Sequence, residues 1–446
     1  MRILFVANGF PPRGQWGTEF YTGQLAAALS ARGHAIAALV PDRTASRPRY
    51  TLEEAPGEGA RLFVLHNAGD PSKRLAASYQ DDHVDRVFAA VLDRWQPDVV
   101  HFNYLLWGLS LGLVGVAGRR GVPTVATLTD YGLLCHRGQM IDWRIRPCGG
   151  PRPAADCARC VRRYSEHDAG ALGRFVHRAA GDVAASMGGL GRVATTADLE
   201  RRAAAARAAL DGLDRVIAPT RVLASAFERF GVDPTRIAQI VYAIDEKPYA
   251  VARPEPPRPV RFGYLGQLTP HKGVHVLLEA VEHMAGRLPE SVEPWSLHVW
   301  GAAAGHRHRR YEPSLRARAR RGRVVFEPAF ASDEAPRVLS GLHAVVVPSL
   351  WDENAPLVCL QARAAGVPVI GSRVGGVAEV ITHGEHGLLV EPDDPVALAD
   401  ALREVLLGRL GRHPAPGLPM GLPAHVDHIE RVYAEARLCA ANRRLG

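Results

Sequence analysis

From Arg2 to Val241, and again from Val260 to Val390, short apolar runs rich in β-branched residues alternate with stretches whose apolar residues recur at helical spacing. Each helix in such a pattern must cross a sheet face to reach the next strand, so the alternation specifies parallel βαβ units with helices on both faces. The first series predicts strands at Ile3–Asn8, Ala35–Val40, Leu62–His66, Val99–Phe102, Thr124–Thr129, Arg215–Ala218 and Ile237–Val241. The second predicts Arg261–Leu265, Leu297–Trp300, Val324–Phe326, Ala344–Val347, Val367–Ile370 and Leu388–Val390. Between the two, Pro254, Pro256, Pro257 and Pro259 crowd a short stretch and forbid helix and sheet interior alike.

A chain of 446 residues exceeds what one hydrophobic core supports. The expected fold is therefore α/β, with two Rossmann-like, doubly wound parallel-sheet domains facing across a cleft. The first spans 1–250, a Pro-rich linker 251–259, and the second 260–412. The remaining 413–446 predict a segment and a helix that packs back on the first domain. Within the first domain the alternation stops between about Leu133 and Asp211. A cysteine cluster and the helix-favouring, Ala/Arg-rich stretch Ala171–Leu210 read there as a helical insertion.

Hydrophobic residues at 47% and charged residues at 22% exclude a disordered or fibrous chain. The net charge of +8 comes from arginine, in Arg201-Arg202, Arg207 and the run from Arg307 to Arg323. It points to anionic partners such as a nucleotide diphosphate or an anionic membrane surface, or else to solvated helix faces; no nucleic-acid module accompanies it. The apolar run Leu105–Ala117 contains three glycines and falls short of the ~20 residues that cross a bilayer. Arg2–Asn8 reads as a buried strand and not a signal peptide, so the expected location is the cytoplasm, with a peripheral hold on the inner membrane face.

Three loops carry the chemistry. Asn8–Glu19 follows the first strand and opens a helix, and its Gly9, Gly14 and Gly17 let backbone N–H groups approach an anion; the spacing is not G-x-G-x-x-G. Gly263–Gly273 is strand, loop and helix start, placing Gly266, Gln267 and Lys272 where a diphosphate would lie against a strand end. Pro348–Ala362 puts Glu353 and Asn354 on a loop, Pro356 at a helix start, then Leu357, Val358 and Gln361 inside the helix. A loop carboxylate accepts from sugar hydroxyls while the helix N-terminus faces phosphate. Gly375-Gly376 marks a further turn.

With these pieces in this order, the chain resembles the retaining nucleotide-sugar glycosyltransferases of family 4, which have the GT-B architecture. The resemblance runs over nearly the whole length. It implies a nucleotide-diphosphate sugar donor, a glycan, lipid-linked or small-molecule acceptor, and polysaccharide-type chemistry. It makes Glu353 the first acid of an E-x7-E pair that contacts the transferred sugar, and Lys272 the counter-charge to the diphosphate. Gly17, Gly266, Gln267, Asn354, Pro356, Leu357, Val358 and Gln361 complete the implied donor site. Asp130 is the third implied catalytic residue, with Glu19, His101, Thr129 and Tyr131 on the acceptor side. Three positions depart from the family pattern: Thr129 replaces a histidine, Gln267 an arginine and Gln361 the second acid. The departures keep open an impaired relative that binds without transferring, and a GT-B nucleotide-sugar epimerase is a third reading.

No D-x-D occurs in the sequence, and no cofactor is expected for catalysis. Cys135, Cys148, Cys157 and Cys160 give C-x12-C-x8-C-x2-C, which fits either a structural zinc or packed, reduced thiols.

Overall fold

The computed structural model describes all residues except 15, 69–74, 166–193, 250–258, 289–293, 303–307, 309, 320–322, 412–416 and 446. The proline-crowded linker and most of Ala171–Leu210 lie outside the described residues. Two sheets, parallel but for one edge strand of the first, organise the described residues. The first holds β1 (Arg2–Val6), β2 (Ala35–Asp42), β3 (Leu52–Gly57), β4 (Ala60–His66), β5 (Val99–Phe102), β6 (Thr124–Thr127), β7 (Arg215–Ala218) and β8 (Ile237–Gln239), in the order β3-β4-β2-β1-β5-β6-β7-β8. Ile3 to Val6 have no exposed surface, which is why β1 reads as an unbroken apolar run. β3 alone is antiparallel, pairing with β4 from Leu52 opposite Leu65 to Gly57 opposite Ala60. Its sequence, LEEAPG, carries no strand pattern because it is a half-exposed edge.

The second sheet holds β9 (Val260–Leu265), β10 (Trp295–Trp300), β11 (Val324–Glu327), β12 (Ala344–Val347), β13 (Val369–Ser372) and β14 (Gly387–Val390), in the order β11-β10-β9-β12-β13-β14 and all parallel. In each sheet the winding reverses at one place, between β1 and β5 and between β9 and β12. The crevice beyond the strand ends at such a reversal is where open α/β sheets bind ligands.

Connecting helices cover both sheets. In the first half they are α1 (Gly17–Ala31), α2 (Asp82–Trp95), α3 (Gly112–Arg119), α4 (Ala154–Ser165), α5 (Thr196–Gly212) and α6 (Arg221–Arg229). In the second they are α7 (Val274–Arg287), α8 (Tyr311–Arg318), α9 (Ala335–Ser340), α10 (Leu357–Ala364), α11 (Gly375–Val380), α12 (Pro395–Leu406) and α13 (Leu422–Leu445). α5 lies in the stretch expected to be an insertion, yet it is the crossover that leads into β7 and packs against α3 and α4. Its start is fixed by a capping box, Thr195 accepting from the Asp198 N–H and Asp198 accepting from the Thr195 N–H.

α13 returns to the first sheet. Val426, Ile429, Val432, Tyr433 and Ala436 join the apolar core that includes Ile3, Phe5, Val125 and Ile217. The same cluster takes in Ala355, Cys359, Leu360 and Val377, so one core runs through both halves. Among the described residues no helix is long and apolar enough to cross a membrane.

Candidate active site

Lys272 and Glu353 meet at the reversal of the second sheet. Lys272 ends the loop after β9, and Gly273 follows it at φ 73, where a Cβ would lie 1.8 Å from the Pro348 carbonyl oxygen. Only glycine lets the loop close onto the end of β12. Lys272 Nζ then donates to both oxygens of Glu353, at 2.6 and 2.8 Å. Glu353 is only 4% exposed, and Ser349 Oγ donates to its Oε1 at 2.5 Å. The Trp351 ring lies beneath the ammonium, 5.4 Å from Nζ.

The Gly375-Gly376 pair holds this loop from behind. The Gly376 N–H donates to the Glu353 carbonyl at 2.6 Å and the Gly375 N–H to Asp352 Oδ1 at 3.1 Å. A Cβ at Gly375 would approach the Glu353 carbonyl to 2.6 Å, and one at Gly376 the Ala355 nitrogen to 2.3 Å. The glycines thus allow α11 to sit against the backbone that presents Glu353.

The N-termini of two helices, one from each half, stand beside each other. α10 starts at Leu357 after Pro356, which has no side-chain cap to offer, so Pro356 flanks the helix instead of opening it. α1 starts at Gly17, where a Cβ would stand 3.6 Å from Leu357 Cδ1. First turns from opposite halves therefore meet across the cleft, and a helix N-terminus is the end that suits an anion. Val358 is half-buried, Gly266 is exposed, and the Gln267 carbonyl accepts from the Tyr264 hydroxyl at 2.7 Å.

Several expected site residues have other work. Asn354 is not an open donor contact: its Nδ2 donates to the Leu128 carbonyl at 3.0 Å and to the Tyr242 hydroxyl at 3.2 Å, tying the Glu353 loop to the first half. Gln361 meets the Tyr249 hydroxyl with its side chain. His101 does not line the acceptor side. It is fully buried under α13, between the Tyr433 hydroxyl at 2.8 Å and Thr127 Oγ1 at 2.7 Å, and burial lowers its imidazole to about 3. Glu19 is 4% exposed and accepts from Asn8 Nδ2 at 2.9 Å and the Trp16 N–H at 2.7 Å, so it organises the first loop from inside. Thr129 donates to the Asn103 carbonyl at 3.2 Å. Tyr131 is 2% exposed, with its ring edge-on to Trp351.

Asp130 accepts from the Gly132 N–H at 2.6 Å. Burial pushes its carboxyl up, opposed by that N–H and by the Arg202 guanidinium. Arg202, on α5, is 3% exposed and donates to the Gly132 carbonyl, so an arginine of the supposedly solvated Arg201-Arg202 pair holds the Asp130 loop from below. Around Lys272 and Glu353, the Tyr131 hydroxyl, Trp351 Nε1 and Gln139 Oε1 are buried and without a hydrogen-bond partner among the described residues. Orphaned polar atoms of this kind mark a place where a polar ligand completes the structure. Gln139 also reaches across the cleft, its Nε2 standing 3.3 Å from His271 Nε2; burial and then Lys272 hold that imidazole well below its ordinary value.

The four clustered cysteines carry free thiols and are half-buried. Among the described residues no three His, Cys, Asp or Glu side chains are grouped as a metal site. Burial pushes the Cys148, Cys157 and Cys160 thiols up.

Residues 17–243, more than half of the chain, match the family model described as glycosyl transferase 4-like domain, and residues 259–407 match glycosyl transferases group 1. The chain belongs to this glycosyltransferase family. D-inositol 3-phosphate glycosyltransferase from Salinispora tropica is 28% identical to it over 211 residues, 43% of this chain and 44% of that protein. This glycosyltransferase thus spans under half the length of that relative. Glycogen synthase from Mycobacterium tuberculosis is 27% identical over 428 residues, covering 91% of this chain and 86% of that one. The solved structure of Anabaena HepE in complex with UDP and glucose superposes with a TM-score of 0.56 at 17% identity, covering 99% and 95% of the two chains. The glycosyltransferase therefore has the GT-B fold that its alternating pattern and motifs anticipate.

Proposed function

We propose that this glycosyltransferase holds a nucleotide-diphosphate sugar in its C-terminal half and passes the sugar, with its anomeric configuration kept, to a glycan, lipid-linked or small-molecule acceptor held by its N-terminal half. The observation that carries this reading is the Lys272–Glu353 pair at the sheet reversal, with Glu353 buried and orphaned polar atoms of Tyr131 and Trp351 beside it. The capture of UDP and glucose by HepE, which shares the fold, supports it.

In the free chain Lys272 and Glu353 neutralise each other. A bound donor would separate their tasks, the diphosphate taking the ammonium and the sugar hydroxyls taking the carboxylate. The bond from the anomeric carbon to the phosphate oxygen breaks as the acceptor oxygen attacks the same carbon, and the acceptor proton passes to the departing phosphate. Lys272 and the first turns of α10 and α1 stabilise the leaving charge, and this electrostatic help is the main way such a site lowers the barrier. Under this reading no metal serves in catalysis. A lipid-linked acceptor would bring the enzyme to an anionic membrane surface, and salt-sensitive sedimentation with acidic vesicles is expected in that case.

The test is nucleoside-diphosphate release from a set of nucleotide sugars, with and without an acceptor extract, together with NMR of the product's anomeric proton. Acceptor-dependent release with retained configuration is expected. Binding that never leads to release would identify an impaired relative, and conversion of the donor to an isomer without acceptor would identify an epimerase.

A further inference from the structure

Two short segments lie side by side where the halves meet, 128–131 from the first and 351–354 from the second. At one end Asn354 Nδ2 donates to the Leu128 carbonyl at 3.0 Å; at the other the Tyr131 and Trp351 rings meet edge to face, their centroids 6.2 Å apart. Between these contacts lies Glu353, whose charge, with that of Asp352, reaches the Tyr131 phenol. The Trp351 ring in turn lies 5.4 Å from Lys272 Nζ. Tyr131 therefore stands beside the Lys272–Glu353 pair although it belongs to the other half.

The polar side chains just before Tyr131 are engaged. Thr127 Oγ1 meets His101 at 2.7 Å, Thr129 Oγ1 donates to the Asn103 carbonyl at 3.2 Å, and Asp130 accepts from the Gly132 N–H at 2.6 Å. The Tyr131 hydroxyl and Trp351 Nε1 differ. Their residues are 2% and 8% exposed, and neither atom has a hydrogen-bond partner among the described residues. Both atoms are closed off from solvent. A buried hydroxyl without a partner costs folding free energy that a phenylalanine in the same place would avoid. Burial, then the Asp352 and Glu353 charges, push the Tyr131 phenol up, so it keeps its proton and stays a donor.

The missing partner has to suit its neighbours. A phosphate oxygen set against the Tyr131 hydroxyl would face the Glu353 carboxylate, and like charges repel. A neutral hydroxyl donates to that carboxylate while accepting from the Tyr131 O–H. We propose that Tyr131 is a specificity-determining residue of the donor site, its hydroxyl donating to a hydroxyl of the transferred sugar that Glu353 also holds. The first half thereby supplies one of the groups that read the sugar, and the second half supplies Glu353. This rests on the donor reading proposed above.

Calorimetric titration of the full chain with UDP-glucose, ADP-glucose and GDP-mannose, and with UDP, ADP and GDP, tests it in the parent and in Tyr131→Phe. For the nucleotide that binds, Tyr131→Phe is expected to raise the Kd of the nucleotide sugar about tenfold and to leave that of the diphosphate within about twofold. Monodeoxy analogues of that nucleotide sugar are then compared. One of them should bind the parent about tenfold more weakly than the full sugar, and in Tyr131→Phe that loss should shrink to about threefold or less. Without ligand, Tyr131→Phe is expected to melt at or above the temperature of the parent, since it removes an unpartnered hydroxyl. A variant that binds nucleotide sugar like the parent, that weakens nucleotide sugar and diphosphate equally, or that melts well below the parent overturns the inference. So do deoxy analogues whose losses are the same in parent and variant. A parent chain that binds none of the nucleotide sugars overturns the donor reading and this inference with it, whereas a parent that binds and a variant that matches it overturn this inference alone.

Discussion

Arg202 illustrates how a residue can serve the site without entering the cleft. Its guanidinium is buried beneath the Asp130 loop and donates to the Gly132 carbonyl. Replacing it with methionine keeps most of the volume and leaves that carbonyl without its donor. Urea unfolding of Arg202→Met is expected to show a loss of about 1–3 kcal/mol. In sequence this arginine looks like its exposed neighbour Arg201, because a run of Ala and Arg on a helix carries no mark of which side faces inward. Lys272 and Glu353 are legible because each is bracketed by glycines or a helix start whose backbone demands are local. His101 misleads for the opposite reason. Its position at the end of a buried strand points to the cleft, but Tyr433, 332 residues further on, covers it.

Among the elements, α13 depends most on chemistry that pH can reach. His101 and His425 are both buried and neutral, lowered by burial to about 3 and about 4 from an ordinary 6.5. His425 stands 2.9 Å from the Tyr21 hydroxyl, and His101 2.8 Å from that of Tyr433. The unfolded chain takes up these protons below about pH 6.5 while the folded chain refuses them, so acid favours unfolding. Stability linked to the two groups is complete above about pH 6.5 and declines as pH falls toward 4 and then 3, by on the order of a few kcal/mol in total. Melting temperatures across that range should fall steeply for the parent and less steeply for His425→Gln. The Glu430 carboxylate, held below its ordinary value by the hydrogen bond from His34 and then by Arg32, adds to the same trend as it protonates. The alternation of elements is legible where the central strands β1, β5, β12 and β13 are buried on both faces. β3 escapes because an exposed edge needs no apolar run, and α5 reads as part of an insertion because an Ala-rich crossover looks the same as an added helix.

At the scale of the molecule, the two halves are fastened beside the Lys272–Glu353 pair. Asn354 binds the Leu128 carbonyl, and Glu379 accepts from the Arg221 and Val222 N–H groups at 2.8 and 3.0 Å, so the second half caps α6 of the first. Glu379→Ala removes both acceptors at once. Amide exchange at Arg221 and Val222 should speed up by about tenfold, the measure of a contact worth roughly 1.4 kcal/mol. The central claim is that Lys272 and Glu353 are partners only until a donor divides them, and calorimetric titration with UDP, UDP-glucose and the corresponding guanosine and adenosine nucleotides addresses it directly. For whichever base binds, Lys272→Met is expected to weaken the nucleoside diphosphate by about ten- to a hundredfold. Glu353→Gln, which frees the ammonium, should bind the same diphosphate as tightly as the parent or more tightly, while losing the extra affinity conferred by the sugar. Variants that both bind diphosphate and nucleotide sugar like the parent would contradict the account.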